Sequence, residues 1–230
     1  MESGIQERVE QVRAAVADAC ARSGRRADAV AIVAVSKKFG PDAVDAMAAA
    51  GLTVFGESKV QEAAQKIPSC SSRIEWHLVG HLQSNKVRQA AALFQMVHSV
   101  DSLKLLELLD QARAVEGGVL PVCLEVNVSG ERSKFGLAPE AVPALLERCG
   151  GLAHVDVVGL MTVPPFDPEA EKARPYFAKL REWRDAWRQS TGVPLEQLSM
   201  GMSGDYAVAI SEGATLVRLG TCIFGRRGGA

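Results

Sequence analysis

Hydrophobic positions along the chain fall into two alternating patterns. Short apolar runs rich in β-branched residues recur, each bounded by glycine, proline or a polar cluster, as buried strands are. Between them lie stretches whose apolar residues repeat every three to four positions, the period of a helix with one buried face. The first run is Ala31-Ile32-Val33-Ala34-Val35-Ser36-Lys37-Lys38, closed by Gly40-Pro41, and the later ones cover 53–57, 74–80, 96–100, 121–128, 155–161, 197–200 and 215–219. Helical periodicity runs over 5–22, where Val9, Val12, Val16 and Ala19 form a stripe ended by Ser23-Gly24. It returns at 43–50 behind Pro41-Asp42, and at 59–67, 83–93, 103–114 behind an Asp101-Ser102 cap, 139–149, 169–189 and 205–212. Trp183 and Trp187, four apart beside Leu180, read as core anchors of the helix over 169–189.

Strands that alternate with helices imply parallel pairing through crossovers. Two closures compete, an open doubly wound sheet and a closed (β/α)8 barrel. Eight units in 230 residues sit near the lower size of the barrel, about 200 residues. No GxGxxG follows the first strand, which removes the main dinucleotide-binding signature. The expected architecture is therefore a single TIM-type (β/α)8 barrel over 1–230, preceded by an N-terminal helix, with no linker, repeat or low-complexity segment marking a second domain.

Composition narrows the function classes. The chain is 47% hydrophobic and 23% charged, with net charge −1, so no basic excess draws it to nucleic acid or acidic lipid. Five cysteines, an odd number without a CxxC pair, fit free thiols in a reducing compartment better than disulfides or zinc. The N-terminus leads into a charged amphipathic stretch, and no segment has the length to span a bilayer. The expectation is a cytoplasmic protein with no membrane and no nucleic-acid partner.

In such barrels chemistry gathers at the carboxyl ends of the strands. Those ends carry Lys37, Glu57 and Ser58, Gly80 and His81, Ser99 and Asp101, Asn127, Met161, the segment 199–203, and Arg218 to Thr221. Lys37 continues the face of Val33 and Val35, so it is the lysine expected to point inward; the bland alternative is a strand-end lysine reaching solvent. Arg218 ends a strand that adjoins the first in a closed barrel. Two neighbouring cations, partly desolvated, would lower the lysine pKa and make its amine nucleophilic, unless Arg218 pairs with Glu57 or Glu125. After the last two strands, Ser199-Met200-Gly201-Met202-Ser203-Gly204-Asp205 and Leu219-Gly220-Thr221 offer glycines, hydroxyls and a helix start, a combination suited to phosphate. A nucleophilic lysine beside a phosphate cup suits a Schiff base to a phosphorylated aldehyde. Pyridoxal phosphate meets that description, and so does the sugar phosphate of a lysine-dependent aldolase.

Six ordered motifs break the tie by likeness. Ala34-Val35-Ser36-Lys37, Phe55-Gly56-Glu57-Ser58-Lys59-Val60-Gln61-Glu62, Trp76-His77-Leu78-Val79-Gly80-His81-Leu82-Gln83-Ser84-Asn85-Lys86, Gly159-Leu160-Met161, Leu198-Ser199-Met200-Gly201-Met202-Ser203 and Val217-Arg218-Leu219-Gly220-Thr221 resemble the pyridoxal phosphate homeostasis protein family over nearly the whole chain. Its fold is similar to the barrel domain of alanine racemase without that enzyme's second, β-rich domain. The resemblance implies that Lys37 is the Schiff-base lysine and that Arg218 faces the pyridine nitrogen. It places the phosphate between the Ser199, Gly201 and Ser203 segment and Gly220-Thr221, with Ser58 and Met161 completing the cofactor-binding set. Family members often carry Asn-Tyr or Asn-Arg where this chain has Ser58-Lys59, so the asparagine's amide contact does not transfer.

The resemblance further implies a protein that holds pyridoxal 5′-phosphate and serves vitamin B6 homeostasis without efficient turnover. An arginine at the ring nitrogen accepts no proton, which leaves the pyridine a poor electron sink. Tyr176 and Tyr206, the two tyrosines, both read as helical and give no obvious acid–base partner opposite the lysine. The expected role is a monomeric carrier or buffer that hands the cofactor to dependent apoenzymes. The alternatives are an amino-acid racemase or lyase, and a scaffold that regulates partners when loaded.

Overall fold

The computed structural model describes residues 2–225 apart from 72 and 132, with side chains described from residue 4 onward. Its elements follow the predicted alternation. Helix α1 (Glu2–Arg22) precedes β1 (Ala31–Val35), α2 (Pro41–Ala49), β2 (Val54–Glu57), α3 (Val60–Lys66), β3 (Glu75–Leu78), α4 (Val87–Leu93), β4 (Met96–Val100) and α5 (Leu103–Glu116). The second half runs through β5 (Leu120–Glu125), α6 (Val142–Cys149), β6 (Val155–Met161), α7 (Arg174–Thr191), β7 (Gln197–Met202), α8 (Tyr206–Ser211), β8 (Leu216–Leu219) and the single turn α9 (Thr221–Phe224). Every neighbouring pair is parallel, and β1 pairs with β8 through Val33↔Arg218 and Ala34↔Leu219, which closes the barrel.

The barrel wall has two faces, and period-two alternation assigns them. Ala34, Val97, Leu124, Leu160 and Val217 belong to the large apolar layer between strands and helices. Val33, Met96, Cys123, Met161 and Leu216, their chain neighbours, form a small separate cluster inside the barrel. Helix α1 adds Val9, Val12, Val16 and Ala19 to the outer layer, as its stripe predicts. Trp187 is buried there and stacks on the half-buried Trp183 at 5.7 Å. The Ser102 hydroxyl accepts from Leu105 N–H and caps α5.

Several boundaries move for local reasons. The first strand stops at Val35, not at Lys38. Lys66 Nζ donates to the Ser36 carbonyl at 2.8 Å, the Glu62 carboxylate captures Lys38 N–H, and Lys38 turns over with φ 67°. The fifth strand stops at Glu125 because the chain folds back, pairing Val126 with Leu137 and tying Asn127 Oδ1 to Ser129 and Gly130. The seventh extends two residues further, to Met202. Among the described residues no helix is long and apolar enough to cross a membrane, and all five cysteines are free.

Candidate functional site

Lys37 stands two positions beyond Val35, which faces the barrel interior against Gly56, and it is exposed at the carboxyl mouth. The residue before it is held from the opposite side. Ser36 Oγ donates to Glu57 Oε1 at 2.6 Å, and Lys66 Nζ lies 2.5 Å from the same oxygen and 3.1 Å from Glu62. All three ammonium protons of Lys66 therefore have acceptors: Ser36 O, Glu57 and Glu62. Glu57 is fully buried, and burial pushes its carboxyl up against the opposing pull of Lys66 and Ser36. This buried knot clamps the turn that presents Lys37. Glu57 thus pairs with Lys66 and not with Arg218.

Arg218 lies in the barrel interior, 5% exposed, at the level of Val33 and so four residues below Lys37 along β1. Of that separation only Val33 to Val35 is strand, roughly 7 Å at about 3.3 Å per residue, before the chain turns at Ser36. Its Nη1 donates to Ser199 Oγ at 2.7 Å and its Nη2 to the Thr162 carbonyl at 2.9 Å; among the described residues no carboxylate lies within ion-pairing distance. Burial lowers the guanidinium pKa to about 10, with Glu125, Asp205 and Cys123 pulling the other way, so it stays charged at neutral pH. Glu125 shares the inner face with Cys123 and is registered with Met161. Burial raises its carboxyl to about 7, opposed by Arg218 and reinforced by Asp101.

Ser199 does not sit with Ser203. It is buried in the interior, between Arg218 and His98, whose Nδ1 is 2.7 Å from its hydroxyl. Ser203 lies at the mouth, where its Oγ accepts from Gly220 N–H at 3.2 Å and Cys222 N–H at 3.4 Å. The two segments predicted to form a cup are therefore in direct contact, with Thr221 exposed beside them. Gly201 bends the first segment at φ +95°, where an added Cβ would meet Ala209 Cβ at 2.6 Å; only glycine fits. Asp205 Oδ1 accepts from Met202 N–H at 2.6 Å and steadies the same bend. Ser58 is half-buried at the end of β2, its carbonyl so close to Gly80 that a Cβ there would lie 2.3 Å away. Met161 is buried in the inner cluster.

The interior also holds two histidines to which the sequence reading assigned no role. His98 Nε2 is 2.9 Å from His77 Nδ1, and His77 Nε2 is 2.9 Å from Glu75 Oε1. Burial drives the His98 pKa well down, aided by His77 and Arg218. Each histidine alternates with outward apolar neighbours, Trp76 and Leu78 or Val97, so an inward direction was legible; their contact across 21 residues was not. Lys66 and Glu62 escaped because they lie on a helix, on the far side of the wall from the mouth they support.

The alanine racemase N-terminal domain model matches residues 12–228. The pyridoxal phosphate homeostasis protein of Aquifex aeolicus is 41% identical over 223 residues, covering 96% of this chain and 97% of its own. That of Pseudomonas aeruginosa is 44% identical over 228 residues, covering 98% and 96%. Among solved structures, PipY of Synechococcus elongatus with PLP bound superposes with a TM-score of 0.86 at 35% identity, covering 96% of this chain and 100% of that one.

Proposed function

The chain belongs to the pyridoxal phosphate homeostasis protein family, and on that footing we propose that it holds pyridoxal 5′-phosphate as a Schiff base on Lys37 and serves vitamin B6 homeostasis as a carrier or buffer. The observation that carries this reading is the buried Arg218: a donor-only cation without a carboxylate partner among the described residues, set in the barrel below an exposed lysine. A ligand with an aldehyde at one end and a ring acceptor at the other suits that pair. Ser203, Gly220 and Thr221, with the bend at Gly201, would hold the phosphate; Ser58 and Met161 would line the ring.

When bound, the cofactor supplies an aldehyde and an electron sink. Lys37, presented at the mouth by the buried Glu57–Lys66–Ser36 knot, would supply the amine that holds that aldehyde. Arg218 keeps its proton and donates an N–H to the ring nitrogen, so the sink stays weak and α-proton loss slow. On this reading neither Tyr206 on α8, where burial pushes its phenol up, nor Tyr176 on α7 serves as an acid–base partner for Lys37. With the sink kept weak by Arg218, Lys37 would serve to hold and release the cofactor for recipient apoenzymes rather than to support turnover.

Absorption titration with pyridoxal 5′-phosphate tests the binding part. Lys37→Ala loses the visible Schiff-base band, Lys38→Ala keeps it, and pyridoxal without its phosphate binds at least about a hundredfold more weakly, the loss of several charge-assisted hydrogen bonds. A band that survives in Lys37→Ala, or equal affinities for the two aldehydes, would overturn it. The carrier part fails if NMR in deuterated solvent finds fast α-proton exchange of amino acids on the wild-type protein, the behaviour of a racemase or lyase.

A further inference from the structure

Five side chains form one hydrogen-bonded line through the barrel: Arg218, Ser199, His98, His77 and Glu75. Consecutive separations are 2.7, 2.7, 2.9 and 2.9 Å. Ser199 and His98 are fully buried and His77 is 3% exposed. The line starts at the interior arginine and ends at the first residue of β3, where the Glu75 carboxylate is half exposed. Glu75 opens there into a cleft of about 680 Å³ lined by Ile67, Arg73, Trp76, Leu93 and Gln95, at the barrel end opposite Lys37.

The ends dictate the direction of every bond. A guanidinium only donates, so Ser199 Oγ accepts from Arg218 and turns its own proton to His98 Nδ1. His98 is then bare at Nδ1 and carries its hydrogen on Nε2, which it gives to His77 Nδ1. His77 likewise carries hydrogen on Nε2 and gives it to Glu75, which only accepts. The opposite sense requires a doubly protonated His77 and two donors converging on Ser199. That places a second buried cation in a core that already holds Arg218, with Cys123 and Glu125 on β5 and Asp205 after β7 as the other titratable groups around Arg218, and Asp101 after β4 acting on Glu125.

We propose that His98 and His77 are positioning residues: with Ser199 they form a one-way hydrogen-bond line, anchored by Glu75 at the far end of the barrel, that holds Arg218 as a fixed donor for the ring nitrogen of the bound cofactor. The ring-nitrogen part rests on the function proposed above; the line itself does not. With Nη1 and Nη2 both tied, the guanidinium plane cannot swing to pair with Glu125.

The test uses the full chain labelled with ¹⁵N-histidine and without ligand. Ring-nitrogen NMR is expected to find His77 and His98 neutral, each with its hydrogen on Nε2. Hydrogen on Nδ1 of His98, or a doubly protonated His77, would overturn the line whatever the protein binds. Glu75→Ala, at a half-exposed site, removes the anchor. The ring signals of both histidines then shift, Glu75→Gln restores them because an amide oxygen still accepts, and Arg73→Ala in the same cleft leaves them unchanged. Movement of His77 alone would refute a connected line. In titrations, Glu75→Ala is expected to weaken pyridoxal 5′-phosphate binding about threefold or more, the scale of coupling through such networks, while Glu75→Gln binds like wild type. Shifted histidines with unchanged affinity would overturn the positioning role. Failure of the wild type to bind pyridoxal 5′-phosphate at all would instead sink the function and leave the line standing.

Discussion

The two faces of the barrel wall are built from the same eight strands, yet they obey different chemistry. The outer face is nearly all apolar, a continuous layer from Val9 to Phe224 that includes Phe55, Phe94 and Phe177. The inner face has the buried cluster of Val33, Met96, Cys123, Met161 and Leu216, with Val35 above it, and among them His77, His98, Ser199, Glu125 and Arg218. Folding energy comes from the outer layer, where each large side chain contributes a few kcal/mol of burial. The interior gives up apolar packing for polar groups that are directed toward one another and toward the mouth. One polar cluster on the outside, the Glu57–Lys66–Ser36 knot, lies directly behind the turn that presents Lys37. Polar groups are buried here where they position something.

Substitutions break that contrast in graded fashion. Phe177→Ala, in the outer layer, is expected to destabilise by about 4 kcal/mol in denaturant unfolding while leaving the proposed attachment of pyridoxal 5′-phosphate to Lys37 unchanged in whatever fraction stays folded. Next in size is Lys66→Met. It strands Glu57 as a buried carboxylate and is expected to lose about 3 kcal/mol, most of it recovered when Glu57→Gln is added. The double variant should still bind the cofactor poorly, because the clamp on Ser36 is gone; full binding would mean that the knot serves stability alone.

Glu125 tests the inner face through pH. Its carboxyl is raised from 4.5 to about 7 in the folded protein, so the folded state binds more protons than the unfolded one between those values. The stability this confers is complete below pH 4.5 and is lost as pH rises through 7. Glu125→Gln is therefore expected to match the wild type at pH 5 and to exceed it at pH 8 by about 2 kcal/mol. Thermal unfolding at both pH values checks this; a difference that is the same at both would refute the assignment. The smallest effect on stability belongs to Ser199→Ala, about 1 kcal/mol for one buried hydroxyl. It nevertheless frees Arg218 from its line and is expected to weaken pyridoxal 5′-phosphate binding about tenfold.

The outer face was legible in the sequence because folding wrote it there. Runs such as Ala31 to Val35 and Met96 to Val100, and the stripe of Val9, Val12 and Val16, carry periodicity that needs no knowledge of partners. The mouth was legible as well, since topology brings every strand end to one place, and Ser203 does meet Gly220. What stayed hidden depends on contacts between distant residues. The exclusive pairing of Glu57 with Lys66 was one such contact, and it removed a partner once open to Arg218. The separation of Ser199 from Ser203, four residues apart yet at different depths, was another. The early end of the first strand belongs to the same class. Periodicity ran on to Lys38, but Lys66 and Glu62, from a helix, turn the backbone at Ser36.

The central claim is that Lys37 carries the cofactor. It is tested most directly by borohydride reduction of the full chain saturated with pyridoxal 5′-phosphate, followed by peptide mapping in a mass spectrometer. A phosphopyridoxyl group on Lys37 and on no other lysine at stoichiometric loading is the predicted result. The same group on Lys38, which the turn sets one residue further on, or spread over surface lysines, would contradict the account.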